Sequence, residues 1–323
     1  MRRGQVVRSL LAMGVSFGLA LGLAACGASV PNGSNNGGEN STPDMATAPA
    51  DMAKAQFDYA ITLKSFDLQP GEEKIFCQYV PADGTERFVS RFVTDMSPGS
   101  HHLVVFRVDE TQGRPATTDL VSCSQLEIPT GFDGMLPGSQ ERHTDFTLPQ
   151  GVAFKLSPTH GLYFQMHYIN ATAQAISAHV TWSLGTVDKT HFQQEAGMLF
   201  YSNFGLNIPP GMSVATRSCK APADLYMATA TGHMHKHGLT FDATVAGKSV
   251  FHTDNWDEPK ASIFPVPGEA VKMGDPISWA CAYNNDTAAA LHFGNSALTD
   301  EMCIFAALYY PATVNGTEFN CAK

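Results

Sequence analysis

Charge is scarce in this sequence. Asp, Glu, Lys and Arg make up 15% of its 323 residues, and the balance is acidic, with a formal net charge of −10. No cluster of Lys and Arg forms the positive footprint that a polyanion needs, which excludes nucleic acid as a partner. The acid excess is spread along the chain and favours solubility. No segment carries a long apolar stripe of helical period, which excludes a helical bundle. C-x-x-C pairs are absent. The apolar run from Leu10 to Ala25 is shorter than the roughly 20 residues that cross a bilayer comfortably.

That run makes sense as a targeting segment. Arg2, Arg3 and Arg8 precede it, and small residues close it at Leu23-Ala24-Ala25-Cys26. The last four residues resemble a bacterial lipoprotein cleavage box. Residues 1–26 are therefore expected to be a lipoprotein signal peptide, with Cys26 lipidated as the first residue of the mature protein. Residues 27–55, rich in Gly, Asn, Ser, Pro and Ala, hold too little apolar surface to fold and read as a flexible tether. The expected product is exported and anchored through its lipid in the bacterial envelope. Gly27 lacks the aspartate associated with inner-membrane retention, which favours the outer membrane.

Six cysteines remain beyond Cys26: Cys77, Cys123, Cys219, Cys281, Cys303 and Cys321. In an exported chain they read as three disulfides. A division of the chain near residue 190 would close Cys77 on Cys123 and leave the other four to staple the second half in an order that the sequence leaves open.

Short alternating apolar runs recur at Arg87–Val93, His102–Val108, Leu162–Ile169, His179–Leu184, Leu225–Ala230, Leu239–Val245, Ile277–Tyr283 and Met302–Tyr310. Turn clusters such as Ser97-Pro98-Gly99-Ser100 and Pro209-Pro210-Gly211 separate them. The expected fold is all-β: two tandem antiparallel β-sandwiches of jelly-roll type, stapled by disulfides. The domains are expected over residues 56–190 and 191–323, joined between Val187 and Gly197.

Twelve histidines are present, and five stand in suggestive contexts. His101 and His102 follow a Pro-Gly-Ser turn. Adjacent strand residues point to opposite faces, so both can reach one ion only if His101 still lies in the bend. His167 sits within the β-prone run Tyr163–Tyr168, sharing a face with Tyr163 and Gln165. His233 and His235 form an H-x-H pair, whose side chains project together from a strand. His237 continues that face, but Gly238 suggests that the chain turns there, and it is left out. The last context is Thr299-Asp300-Glu301-Met302-Cys303. Each of these is more often structural than functional when met alone. Together, imidazoles and a thioether suit copper that cycles between oxidation states better than zinc.

These contexts, in this order, resemble the copper type II ascorbate-dependent monooxygenases, the family of peptidylglycine α-hydroxylating monooxygenase and dopamine β-monooxygenase. The resemblance runs from about Phe57 to Cys321. It includes Val271-Lys272-Met273-Gly274-Asp275, Cys281-Ala282-Tyr283-Asn284-Asn285 and Tyr309-Tyr310-Pro311. It implies two copper ions, one per domain, facing across a cleft. His101, His102 and His167 would hold the electron-transferring copper, and His233, His235 and Met302 the copper where dioxygen and substrate meet. It also implies the pairings Cys77–Cys123, Cys219–Cys321 and Cys281–Cys303. The reaction implied is hydroxylation of a C–H bond with dioxygen and electrons from ascorbate or another small reductant, by a monomer.

One departure bears on the substrate. Peptide-amidating members grip a carboxylate with an arginine just before the H-x-H pair and with an asparagine and a tyrosine just after the methionine. Thr231, Ile304 and Ala306 stand at those positions here. Strand alternation places Thr231 on the face of His233, and Ile304 and Ala306 on the face of Met302. The expected substrate is therefore a small apolar or aromatic molecule, because a carboxylate would be desolvated there without charged donors. The principal rival is a non-catalytic copper-binding surface lipoprotein. A β-sandwich adhesin or glycan binder would carry the histidines as decoration. A zinc hydrolase lacks a carboxylate at ligand spacing from His233 and His235.

Overall fold

Strand Pro276–Asn285 buries Ile277, Trp279, Cys281 and Tyr283 and leaves the residues between them at least partly exposed, the alternation of a strand covered on one face. Strands His160–Ile169 and Ile304–Tyr310 bury nearly every residue. Such strands must be covered on both faces. That contrast sets the layering of the whole molecule.

The computed structural model describes residues 57–125, 127–313 and 317–318, all within one compact unit, Asp51–Lys323. The expected signal peptide, Cys26, the tether up to residue 55 and Cys321 lie outside the described residues. Among the described residues the chain is β throughout apart from one 3-10 turn, Lys189–His191, and no helix is long and apolar enough to cross a membrane.

Four main sheets stack in sequence. The first orders Phe57–Thr62, Val180–Val187, Arg87–Met96, Val152–Leu156 and Gln194–Glu195, with His143–Thr147 also on Arg87–Met96. The second orders Val121–Ser122, Glu73–Val80, His160–Ile169, Ser100–Asp109 and Phe132–Ser139. Trp182 of the first sheet meets Phe164 of the second at 5.4 Å, ring to ring, in the core between them.

The third sheet orders Ser262–Ile263, Leu225–His233, Ile304–Tyr310, Gly197–Ser202 and Thr317–Glu318. The fourth orders Gly211–Lys220, Pro276–Asn285, Gly238–Val245 and Lys248–Thr253. Here Trp279 stacks on Phe305 at 6.0 Å. Among the described residues no strand pairs across Ala196, which falls inside the expected junction.

The second and third sheets pack against each other. Phe305, Ala307 and Tyr309 point into the core of the second half. Leu308 and Tyr310, on the opposite face, join the core of the first half. Met198 and Phe200 pack on the outer face of the second sheet, against the cluster of Phe106, Met135 and Tyr163. Where a cleft between domains is implied by the resemblance, the structure brings the two halves together on this apolar face.

Two disulfides are in place, Cys77–Cys123 and Cys281–Cys303. Cys219 is also disulfide-bonded, and its expected partner, Cys321, lies outside the described residues.

Candidate metal centre

His102 stands opposite His167 where strand Ser100–Asp109 runs beside His160–Ile169. The next pair is Ser100 with Tyr168, so His101 is an extra residue in the ladder. This β-bulge re-aims the chain and brings two adjacent rings to one side. The His101 and His102 centroids are 4.9 Å apart, and each lies 5.0 Å from His167. The expected agent was the preceding bend. The bend instead ends at Gly99, whose φ of 91° favours glycine, and the bulge inside the strand does the work.

The third sheet supplies the other ligand candidates. His233 is the last residue of its strand and His235 lies just beyond it, not within it as expected. Met234 between them is buried in the core of the second half, so the two imidazoles still share a side, 5.1 Å apart. Gly232 is required by packing, since a Cβ there would meet the Phe241 ring at 2.5 Å. The expected strand Met302–Tyr310 starts only at Ile304, and Met302 lies in the segment leading into it. Tyr283 donates from its hydroxyl to the Met302 carbonyl at 2.7 Å, and the Cys281–Cys303 bridge pins the neighbouring residue.

The five expected histidine ligands gather in one place, and the Met302 sulfur is linked to them through Gln125. His101 lies 4.9 Å from His233 and 5.3 Å from His235, and His102 lies 5.0 Å from His233. The Gln125 amide nitrogen is 3.3 Å from His102 Nε2 and 3.4 Å from the Met302 sulfur, so it touches both halves. Two triads each bring one ligand atom per residue within 4.8 Å of the others: His101, His102 and His167; and His101, His233 and His235. None of the six side chains belongs to a residue more than 9% exposed. His237 is buried as well, but its Nδ1 faces Asp286 at 3.2 Å and it joins neither triad.

The outward nitrogens are held by specific partners. His167 Nε2 donates to Glu73 Oε1 at 2.8 Å, and His235 Nδ1 donates to the Asp300 carbonyl at 3.1 Å. The Gln140 amide sits 2.5 Å from His233 Nδ1. The remaining nitrogens have no hydrogen-bond partner among the described residues: both of His101, Nδ1 of His102 and His167, and Nε2 of His233 and His235. A buried polar atom left unpaired costs about 1–3 kcal/mol, so a cluster of them calls for a ligand that accepts lone pairs. Imidazoles whose far nitrogens are held by hydrogen bonds, with a thioether one Gln125 amide away, fit a soft, redox-active cation.

Electrostatics keep four of the five imidazoles neutral. Burial first, and the neighbouring imidazoles second, hold His101, His102 and His233 well below the ordinary histidine range. Burial takes His235 to about 3. Glu73 is different: burial would raise it, but hydrogen bonds from His167, Ser296 and Ala297 together bring it below its ordinary value. Glu301, pushed up to about 7 by burial, accepts from the backbone N–H groups of His235 and His237 at 3.0 and 2.7 Å. That carboxylate shapes the H-x-H segment through its backbone.

A cavity of about 340 Å³ opens beside the cluster, walled by both halves, and its polar lining includes His102, Gln125, Gln140 and His233 as well as Glu141, His143 and Asp145. Thr231, Ile304 and Ala306 all line it. Their ladder explains why: His233 pairs with Ile304 and Thr231 with Ala306, so the four side chains form one surface. Leu103, Met135, Leu136 and Phe146 face them from the first half. Glu73, Gln125 and Gln140 were not singled out in the sequence. Only strand pairing and the close packing of the two halves bring them to the histidines. Residue Gln125 stands two positions after Cys123, a disulfide anchor that offered the one available hint.

No family model matches the chain, and no curated protein sequence matches it. Among solved structures it is similar to the major capsid protein P2 of bacteriophage PM2, at 9% identity and a TM-score of 0.30, over 78% of this chain and 100% of that one. It is also similar to the cowpea mosaic virus top component, at 9% identity and a TM-score of 0.29, over 75% of this chain and 89% of that one. A third likeness is to PNGF-II, at 11% identity and a TM-score of 0.22, over 81% of this chain and 60% of that one. Likenesses this slight carry no argument about what the chain does.

Proposed function

We propose that this protein is a copper-dependent monooxygenase that hydroxylates a C–H bond of a small apolar or aromatic substrate, using dioxygen and a small reductant such as ascorbate. The observation that carries the reading is the mainly apolar cavity whose lining includes His102 and His233. A protein that only stores metal needs the histidines but has no use for a substrate-sized apolar pocket beside them. The wider setting is an exported protein anchored through lipid on Cys26, with the outer membrane favoured.

Copper bound by these side chains would supply one-electron redox cycling and activation of dioxygen. The protein's own residues prepare the ground. His167 and His235 are oriented by Glu73 and Asp300, each with its other nitrogen bare. Gln140 places its amide nitrogen against His233 Nδ1, and the same amide flipped, with Oε1 in that place, would accept the Nδ1 proton and free Nε2. Ile304 and Ala306 make this wall of the cavity apolar, and Thr231 offers a hydroxyl on the same surface. Nothing in that surface replaces the arginine that would grip a peptide carboxylate. A zinc hydrolase is less well supported, because the buried Glu301 carboxylate is taken up by backbone N–H groups.

The test is turnover of the copper-loaded protein with ascorbate, a panel of small aromatic compounds and labelled dioxygen. One labelled oxygen atom in the product, lost in Met302→Ala, is the expected result. Copper binding without oxygen incorporation across the panel would favour a copper-binding lipoprotein instead. Efficient turnover of peptides ending in glycine would refute the substrate argument.

A further inference from the structure

His101 is the one residue that belongs to both candidate triads. It stands between His102 and His167 on one side and His233 and His235 on the other, with all four ring centroids 4.9–5.3 Å away. It is 1% exposed, and neither of its nitrogens has a hydrogen-bond partner among the described residues. The other four imidazoles divide cleanly: His102 and His167 keep Nδ1 bare, and His233 and His235 keep Nε2 bare. We propose that His101 is a shared ligand, able to complete a three-imidazole site with His233 and His235 as well as with His102 and His167.

The consequence is antagonism between the two ions. A neutral imidazole has one lone pair, so His101 serves one triad at a time. An ion in either set with His101 leaves the other set two imidazoles. This inference rests on the copper reading, and it changes the ligand count expected at the dioxygen-binding ion. The same closeness explains why the bulge matters. A regular strand would turn His101 to the opposite face from His102 and away from one of the triads.

The test removes the first set and asks whether His101 still counts. In the His102→Gln/His167→Gln variant, one Cu(I) is expected to bind through His101, His233 and His235. Affinity is read anaerobically against a chromophoric Cu(I) chelator. Adding His101→Gln should weaken that binding by at least about tenfold, since losing even a group that only hydrogen-bonds a ligand imidazole costs about 10–100-fold. Equal affinity in the double and triple variants would overturn the sharing and leave the copper reading standing. No Cu(I) binding by the wild-type protein would overturn both. Should the multiple variants not fold, His102→Gln alone loaded with one equivalent of Cu(II) discriminates by electron paramagnetic resonance. Couplings from three nitrogens are expected for a shared His101, and two would refute it.

Discussion

Glu73 accepts a hydrogen bond from His167 Nε2 at 2.8 Å and, on its other oxygen, one from the Ser296 hydroxyl at 2.6 Å. One carboxylate thus orients a candidate ligand of the first half and clasps the loop that leads to Met302 in the second. Ala297 N adds a third bond at 2.6 Å. Glu73→Ala would leave the buried His167 N–H without its acceptor, and the expected loss of stability is about 1–3 kcal/mol. A carboxylate that holds the far nitrogen of a ligand imidazole also tunes its affinity, so Cu(I) binding should weaken by about 10–100-fold. Equilibrium denaturation and chelator competition measure the two effects separately. Unchanged copper affinity in Glu73→Ala would show that Glu73 only joins the halves.

Much of this arrangement was legible in the sequence, and what was hidden had a common cause. Alternation placed Thr231 on the face of His233, and Ile304 and Ala306 together on one face of their own strand, because strand period is a local property; the pairing of the two strands joins those faces into one surface. The cysteines announced Cys77–Cys123 once the chain was divided near residue 190. Nothing local announced the bulge at His101, which depends on Ser100 pairing with Tyr168 across the sheet. Glu73, Gln125 and Gln140 are ordinary residues until two separate sheets pack together. The gathering of all five imidazoles in one cluster is likewise a property of how the two halves meet, and no spacing along the chain encodes it.

Acid should destabilise the metal-free protein in a defined window. Free histidine titrates near pH 6.5. His101, His102 and His233 are held well below that by burial, and His235 titrates at about 3. Between those limits the unfolded chain takes up protons that the folded chain refuses, so stability falls as pH drops below about 6.5. Each imidazole adds a slope of up to about 1.4 kcal/mol per pH unit. Glu301, at about 7, works in the opposite direction, since the folded state takes up its proton first. Four imidazoles outweigh one carboxyl. Asp83 and Asp109, both lowered to about 2, act only further into the acid range. Urea unfolding of metal-free protein from pH 7.5 to 5 measures the slope, and a flat profile would contradict a neutral buried cluster. The same shifts imply that copper affinity persists further below pH 6.5 than free imidazole would allow.

The cavity can be closed without touching a candidate ligand. Ala306 lines it opposite Thr231 and is 8% exposed. Ala306→Phe puts a ring into a space of about 340 Å³. The expected result is at least a tenfold loss in binding of small aromatic ligands, roughly 1.4 kcal/mol, with copper content unchanged. Fluorescent-probe displacement reads the first and metal analysis the second. Loss of both together would mean that the substitution disturbs the fold rather than the pocket.

The Cys281–Cys303 bridge should matter more for Met302 than its own stability contribution suggests. It closes a separation of 22 residues, for which chain entropy implies about 2–4 kcal/mol of stabilisation. Its second cysteine adjoins Met302, whose carbonyl is held by the Tyr283 hydroxyl two positions along the strand from Cys281. The bridge and the hydrogen bond therefore fix the thioether from the same strand. Replacing both cysteines with Ala should lower stability by that amount and free the Met302 segment to move. A thioether favours Cu(I) over Cu(II), so a misplaced Met302 should weaken Cu(I) binding at the second set and leave Cu(II) binding nearly unchanged. Measuring both oxidation states in the Cys281→Ala/Cys303→Ala variant, beside Met302→Ala, separates placement of the sulfur from its presence. Equal losses for Cu(I) and Cu(II) would mean that the bridge supports the histidines instead.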